Sequence, residues 1–599
     1  LRTALDLSRR DADGQLALAG YGAVGDGRSV ALSGADGSID WWSVPGIDSP
    51  PLFDRLLDAK DGGFFAITPI GPYTTTRTYR RDSNVLETVF KTQTGSATLT
   101  ESLNSSGAGR LPWAELARRV EGIDGTVRFD VTVRYGRRGG KINPYCSVIG
   151  GHDVFHAGRV LGLFLYSKGL NVHRKDDDQL TGHLTINEGQ REVVAIVAGE
   201  DEPLVVPPIA EIDARIDRSD QAWREWSDNV KYAGPRRALL VRSALALKFL
   251  LYSPSGAIAA AATTSLPEAI GGPKNWDYRY AWVRDAGYVI KAFMHIGAQQ
   301  EAKAAFSWLL KQIENNGPRV LFSLAGGTVP DAVEVDVPGY KGSAPVVTGN
   351  LATNQLQLGV YGDIFGTAAV FVQAGNILDP KSAQTLSRLA DECADCWRRK
   401  DAGIWELEDA QHYTTSKLSA WQALACAVDL ADNGQLPTSC RDRWERERDR
   451  IAAWIRTEGW SEAKQAYIMY PGSDKLDASF AMAVRFRFGD GERVRMTLDA
   501  IQRELGRGPY HYRYSGVEKE EGCFLACTFW YAEARALLGE TDAAEKVIDR
   551  LVTALDRGVG MYPEMADPET GDYLGNLPQG LTHLALIQAL TSLYPDTAS

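Results

Sequence analysis

Residues 191–253 read REVVAIVAGE, DEPLVVPPIA, EIDARIDRSDQAWREWSDNV, KYAGP and RRALLVRSALALKFLLYS. The first ten form a short, β-branched apolar run, the pattern of a buried strand. The last eighteen carry apolar residues at i, i+3 and i+4, the stripe of a helix. Pro207 and Pro208 interrupt both patterns, and residues 211–230 between them read as a linking helix. The hydrophobic period changes here once and does not change back, so the chain divides into two units of different class.

Upstream, short β-rich runs follow one another: GFFAITPI (63–70), VLETVFKT (85–92), SATLTESL (96–103), TVRFDVTVRYG (126–136) and LTGHLTINE (180–188). Turn signals such as ADGS (35–38), KDGG (60–63) and EGIDG (121–125) separate them. Many short strands at this spacing predict a large antiparallel sandwich. Downstream of Pro235 about twelve helical segments follow, ending with LTHLALIQALTSLY (581–594). Twelve helices can pair as six hairpins closed into a ring, whose substrate pocket would lie among the loops at one end. A helical solenoid is the competing arrangement, and the absence of a repeat at fixed period counts against it. The expected architecture is an N-terminal antiparallel β-sandwich (1–210), a linker helix (211–234) and an (α/α)6 helical barrel (235–599).

The bulk properties narrow the function. A formal charge of −12 disfavours nucleic acid and anionic membrane as partners. No apolar stretch is long enough to span a bilayer, and the opening LRTALDLSRRDADG lacks the apolar core of a secretory signal. Seven cysteines at irregular spacing do not form a disulfide framework, so a reducing cytoplasm is the expected compartment. Gly20 to Gly25 fits G-x-G-x-x-G, but strand and turn residues follow where a dinucleotide fold needs a helix. Cys393 and Cys396 form a C-x-x-C inside a helical pattern with no second pair or nearby histidine, which reads as packing. No metal or cofactor is expected.

What remains is a set of aromatics and carboxylates at helix starts and loops. Asn275 to Asp285, NWDYRYAWVRD, opens a helix with four aromatics and four charges. Aromatic rings stack on the apolar faces of sugars, and Asp and Arg groups bind the hydroxyl rim. A buried salt-bridge network beside core aromatics would look the same. Glu406 follows Trp405 in a loop; burial beside an indole raises a carboxyl pKa and suits a general acid, whereas a surface helix-cap glutamate is the bland reading. Glu564 follows Pro563 in the loop before the last helix.

Taken in order, YGAVGDGRSVALSGADGSIDWWSVPGIDSPPLFDRLL (21–57), NWDYRYAWVRD, GIWELED (403–409) with HYTTSKLSAW (412–421), LDAS (476–479), YRY (512–514), EEGCFLACTFW (520–530) and YPEMADPETGDYLGNLPQGLTH (562–583) resemble glycoside hydrolase family 15, the glucoamylase, glucodextranase and bacterial-type trehalase family. The resemblance runs over nearly the whole chain. It implies a β-sandwich followed by an (α/α)6 barrel and inverting, exo-acting hydrolysis of α-linked glucosides. The substrate would be an oligosaccharide or disaccharide. It places the general acid at Glu406 and the general base at Glu564. Tyr278, Trp282, Arg284 and Asp285 would line the sugar pocket, Arg513 would reach the first sugar, and Trp405 and Glu521 would wall it. An inverting pair needs carboxyls about 6.5–9.5 Å apart to admit a water. The GSAPV segment (342–346) and Gly359 depart from the family pattern and leave linkage and sugar open. GSIDWW (37–42) suggests that a sandwich loop reaches the pocket. Two rival readings are a disaccharide phosphorylase of similar architecture, which needs no base, and a non-catalytic sugar-binding protein. The presence of both glutamates in their motifs counts against each.

Overall fold

The computed structural model describes residues 6–105 and 110–595, so the first five residues of the segment read for a leader lie outside it. Among the described residues fifteen strands, all paired antiparallel, form the N-terminal unit. Its organising element is one strand of 21 residues, Ala114–Arg134. The first half of that strand pairs with Arg191–Glu200 and with Gly95–Leu103; the second half pairs with Gln179–Asn187 and Phe64–Pro69. The strand thus passes from one layer of the sandwich to the other. EGIDG, expected as a turn, is the corner in the middle of it. Gly122 and Gly125 make that crossing possible, because a Cβ at either would lie within 2.1–2.3 Å of a neighbouring backbone oxygen. The G-x-G-x-x-G run lies in an antiparallel hairpin, Tyr21–Gly25 with Val30–Gly34, and no helix follows it.

The helix α1 (Ile209–Asp228) lies on the sandwich. Arg119 donates to Asp213 and Asp217, and Arg215 forks onto the buried Glu115. These bidentate pairs fix its orientation.

Among the described residues twelve further helices build the barrel. Outer helices α2 (Arg237–Leu250), α4 (Gln299–Asn316), α6 (Pro380–Cys396), α8 (Arg441–Glu458), α10 (Gly491–Leu505) and α12 (Thr541–Leu555) alternate with inner helices α3 (Val283–His295), α5 (Gly359–Gln373), α7 (Thr414–Asp432), α9 (Met482–Arg485), α11 (Leu525–Leu537) and α13 (Gly580–Leu593). The inner set touches in the order α3, α5, α7, then a 3-10 turn at Ala478–Ala481 leading into α9, then α11, α13 and back to α3. The ring is therefore closed, which a solenoid is not. The inner helices α11 and α13 are buried almost all round, whereas α10 and α12 carry one apolar stripe, as inner and outer positions require.

The two units meet behind the loops at one end of the barrel. Trp41 donates its indole N–H to Ala262 O (3.0 Å), Arg279 donates to Ser49 O (2.8 Å) and Tyr340 to Leu16 O (2.8 Å). Trp41 and Trp42 are fully buried. GSIDWW therefore backs the loop 260–265 and does not line a pocket: a large ring whose only polar atom is bonded is stable as interface core.

All seven cysteines are free, Cys393 being packed inside α6. Among the described residues no helix is long and apolar enough to cross a membrane.

Candidate active site

The run Trp276–Trp282 is extended along residues 260–265: Ser265 N–H donates to Trp276 O, Ala261 N–H to Tyr278 O and Ala260 N–H to Tyr280 O. Its charges divide between two tasks. Asp277 and Arg279 form a buried two-pronged pair (2.9 and 2.7 Å) that braces the domain interface. Arg284, in the first turn of α3, lines a small cavity with Gln357, Gly359 and Ile404 instead, and Asp285 follows it, buried. Asp285 Oδ2 accepts from Arg284 Nε (2.9 Å), while Asp285 Oδ1 is buried without a hydrogen-bond partner among the described residues. The salt-bridge reading of this cluster thus describes Asp277 and Arg279, and Arg284 and Asp285 stand apart from that pair.

Glu406 ends the turn begun at Gly403, with φ of +60°. For a glutamate that conformation is strained, and strain of this kind gathers at functional positions. The tertiary contacts holding it are specific. Trp282 donates its indole N–H to Glu406 Oε1 (2.6 Å), Gln355 donates to Glu406 O (3.1 Å), and Arg284 Nη1 stands 3.8 Å from Oε1. The side chain keeps 23% exposure though protein surrounds it, as at the inner end of a recess. Burial raises its pKa; Arg284 and the Trp282 hydrogen bond oppose the rise.

Glu564 lies deeper, 2% exposed, on the short strand Met565–Ala566 side of a three-stranded patch with Cys523–Phe524 and Tyr573–Leu574. Its loop is clamped by the start of α13. Thr582 Oγ1 donates to Pro563 O (2.8 Å), and His583 Nε2 accepts from Tyr562 N–H (3.1 Å). Burial holds His583 at about 3, so it stays neutral and keeps that acceptor. Glu564 N–H donates to Asn576 O (3.1 Å), and Oε2 lies against Gly575, without a hydrogen-bond partner among the described residues. Burial lifts Glu564 to about 7, against the pull of the Arg513 guanidinium.

Tyr278 and Trp282 pack edge to face with centroids 5.4 Å apart. Trp282 bonds Glu406, and the charge of Glu564 acts on Tyr278. The two glutamates, far apart in sequence, thus act on the two members of one aromatic pair. Arg513 completes the wall. It donates through Nε to Glu521 Oε1 (2.6 Å) and through Nη2 to Glu268 Oε2 (2.8 Å), and its guanidinium lies 5.4 Å from the centre of the Trp405 ring. Trp405 is fixed by its indole N–H on Asp477 Oδ1 (2.9 Å), which gives the LDAS motif its place. Glu521 has no exposed side-chain surface. Burial alone would raise it, but Arg513 and Lys274 hold it ionised and low, and its two oxygens orient those two cations.

Glu268, Gln355 and Gly575 were not singled out in the sequence. Glu268 follows Pro267 in a loop as Glu564 follows Pro563, and that shared Pro-Glu dipeptide is the one signal that marks it. Gly359 lines a cavity of about 20 Å³ with Arg284, Gln357 and Ile404, and no atom lies within 4 Å of where its Cβ would be. Ser343 of the GSAPV segment accepts from Gly271 N–H (2.9 Å). Among the described residues no group of three or more His, Cys, Asp or Glu side chains is arranged to hold a metal ion.

Residues 234–591 match the family model for glycosyl hydrolases family 15, and residues 17–215 match that for a trehalase-like N-terminal domain. A trehalase of Thermoplasma volcanium is 30% identical over 596 residues, covering 96% of this chain and 93% of its own length. A trehalase of Mycobacterium tuberculosis is 31% identical, covering 96% and 89%. Among solved structures, a bacterial glucoamylase complexed with acarbose aligns with a TM-score of 0.72 at 14% identity, over 98% of this chain and 97% of that one. At that identity the likeness is one of fold.

Proposed function

Since this chain belongs to glycosyl hydrolases family 15, we propose that it removes a terminal α-linked glucosyl residue with inversion and that trehalose, two glucoses joined α,α-1,1, is its substrate. The choice of trehalose rests on relatives named trehalase that match nearly end to end. The observation that carries the reading is a set of buried carboxyl oxygens with no hydrogen-bond partner among the described residues, on side chains beside Arg284 and Arg513: Asp285 Oδ1, Glu564 Oε2 and Glu268 Oε1. Native proteins rarely leave such atoms unsatisfied, and a ligand rich in hydroxyls, which both donate and accept, supplies what they lack.

In this mechanism Glu406 starts protonated and gives its proton to the glycosidic oxygen as the C1–O bond breaks. The carboxylate it becomes is stabilised by Trp282 and Arg284. Glu564, ionised above about pH 7, removes a proton from the water that attacks C1 from the opposite face; Arg513 favours that ionised form. Tyr278, Trp405, Arg284, Asp285 and Arg513 hold the ring. Room for the water requires the two carboxyls to stand about 6.5–9.5 Å apart.

The test is proton NMR of a digest in the first minutes, run on trehalose, maltose and isomaltose. Inverting cleavage of trehalose releases one β-glucose and one α-glucose together. Two α-anomers would refute inversion. Release of glucose 1-phosphate, only when phosphate is present, would identify a phosphorylase. Turnover of maltose with none of trehalose would keep the mechanism and overturn the substrate.

A further inference from the structure

Neither the acid nor the base accounts for Glu268. Its backbone is pinned on both sides, N–H to Lys274 O (3.2 Å) and C=O accepting from Gly522 N–H (2.8 Å), so its side chain is directed. The residue is 1% exposed. Oε2 accepts from Arg513, while Oε1 has no partner among the described residues. A residue present only to hold Arg513 would be redundant, because Glu521 already grips that guanidinium with both oxygens. Its charge acts on Glu564 and Tyr278, and it shares the Arg513 guanidinium with Glu521, so the side chain stands in the neighbourhood of the base.

We propose that Glu268 is a specificity-determining residue of the glucosyl site, its Oε1 hydrogen-bonding one hydroxyl of the ring whose C1 faces Glu564. This rests on the assignment of Glu564 as base. Burial raises the Glu268 pKa well above the carboxylate range, with Arg513 opposing. A carboxyl that keeps its proton adds no further negative charge beside Glu564 and Glu521, and it presents an O–H donor to the sugar.

The experiment measures kcat/KM for α-glucosyl fluoride and its 2-, 3-, 4- and 6-deoxy derivatives, whose small leaving group confines the readout to this ring. Wild type is compared with Glu268→Met, which fills the volume without hydrogen bonding, and with Glu268→Ala. In wild type one deoxygenation should cost ~10-fold or more, as for a buried hydrogen bond. In Glu268→Met that same penalty should fall below ~3-fold while the others hold within ~2-fold, the coupling a double-mutant cycle isolates. Four penalties unchanged from wild type would overturn the proposal and leave Glu268 a structural partner of Arg513. Glu268→Gln, which keeps both bonding positions, should fold and retain the penalty; failure of all three variants to fold would also overturn it. No turnover of the fluoride by wild type would instead sink the glucosidase assignment.

Discussion

Replacing Trp282 with Phe removes one donor from the proposed acid and leaves the ring stack on Tyr278 partly intact. The indole N–H lies 2.6 Å from Glu406 Oε1. It donates in both protonation states, but a hydrogen bond to a charged acceptor contributes about 1.5–3 kcal/mol and one to a neutral acceptor about 0.5–1.5 kcal/mol. The difference of about 1–1.5 kcal/mol corresponds to about one pKa unit. Trp282 thus holds Glu406 below where burial alone would put it, and Glu406 in Trp282→Phe titrates higher. A general acid works protonated, so activity falls as pH rises through its pKa. The alkaline limb of the variant should therefore move upward by about one pH unit. Arg284, 3.8 Å away, remains and limits the change. The assay is the pH dependence of kcat/KM, which reports the free enzyme. Because Trp282 is only 1% exposed, the cavity left by the smaller ring should also cost stability, about 1–3 kcal/mol, read from a thermal melt. An alkaline limb that stays in place or moves down would refute the role of Glu406 as acid held by Trp282.

The other predictions concern the base and its support. With Glu564 raised to about 7, the acidic limb of kcat/KM should fall near pH 7, since a base is lost as pH drops through its pKa. Arg513→Met removes the cation that stabilises the ionised form, so that limb should move up and not down. Glu564→Gln should lose ~100- to 10,000-fold in kcat in steady-state assays. Glu406→Gln should lose much less on α-glucosyl fluoride than on trehalose, because fluoride departs without a proton; equal losses would contradict its role. In Gly575→Ala the new Cβ would stand 2.5 Å from Glu564 Oε2 and 2.7 Å from its Cβ, at a φ of +72°. The carboxylate must shift, and a displacement of about 1 Å should cost ~100-fold in kcat, with circular dichroism unchanged.

Local pattern was enough to find the two classes of unit, the place near Pro207 where they meet, and most barrel helices, because which face of an element is apolar depends on spacing along a few residues. The sequence also held Glu406 and Glu564 in motifs, without saying what faced them. It misjudged EGIDG, since a glycine-rich stretch permits a turn and a layer-crossing strand alike, and only the pairing partners on each side decide between them. It could not divide NWDYRYAWVRD into Asp277–Arg279, which braces an interface, and Arg284–Asp285, which stands apart from it, because that division depends on Ser49 from the sandwich and Ile404 from another loop. Glu268, Arg513 and Glu564 come from three separate loops, and the charge of Glu564 acts on Tyr278 only because α13 returns to α3 and closes the ring. Element type is a property of neighbours in sequence. A site built across a closed ring is a property of neighbours in space, which packing of the whole barrel fixes.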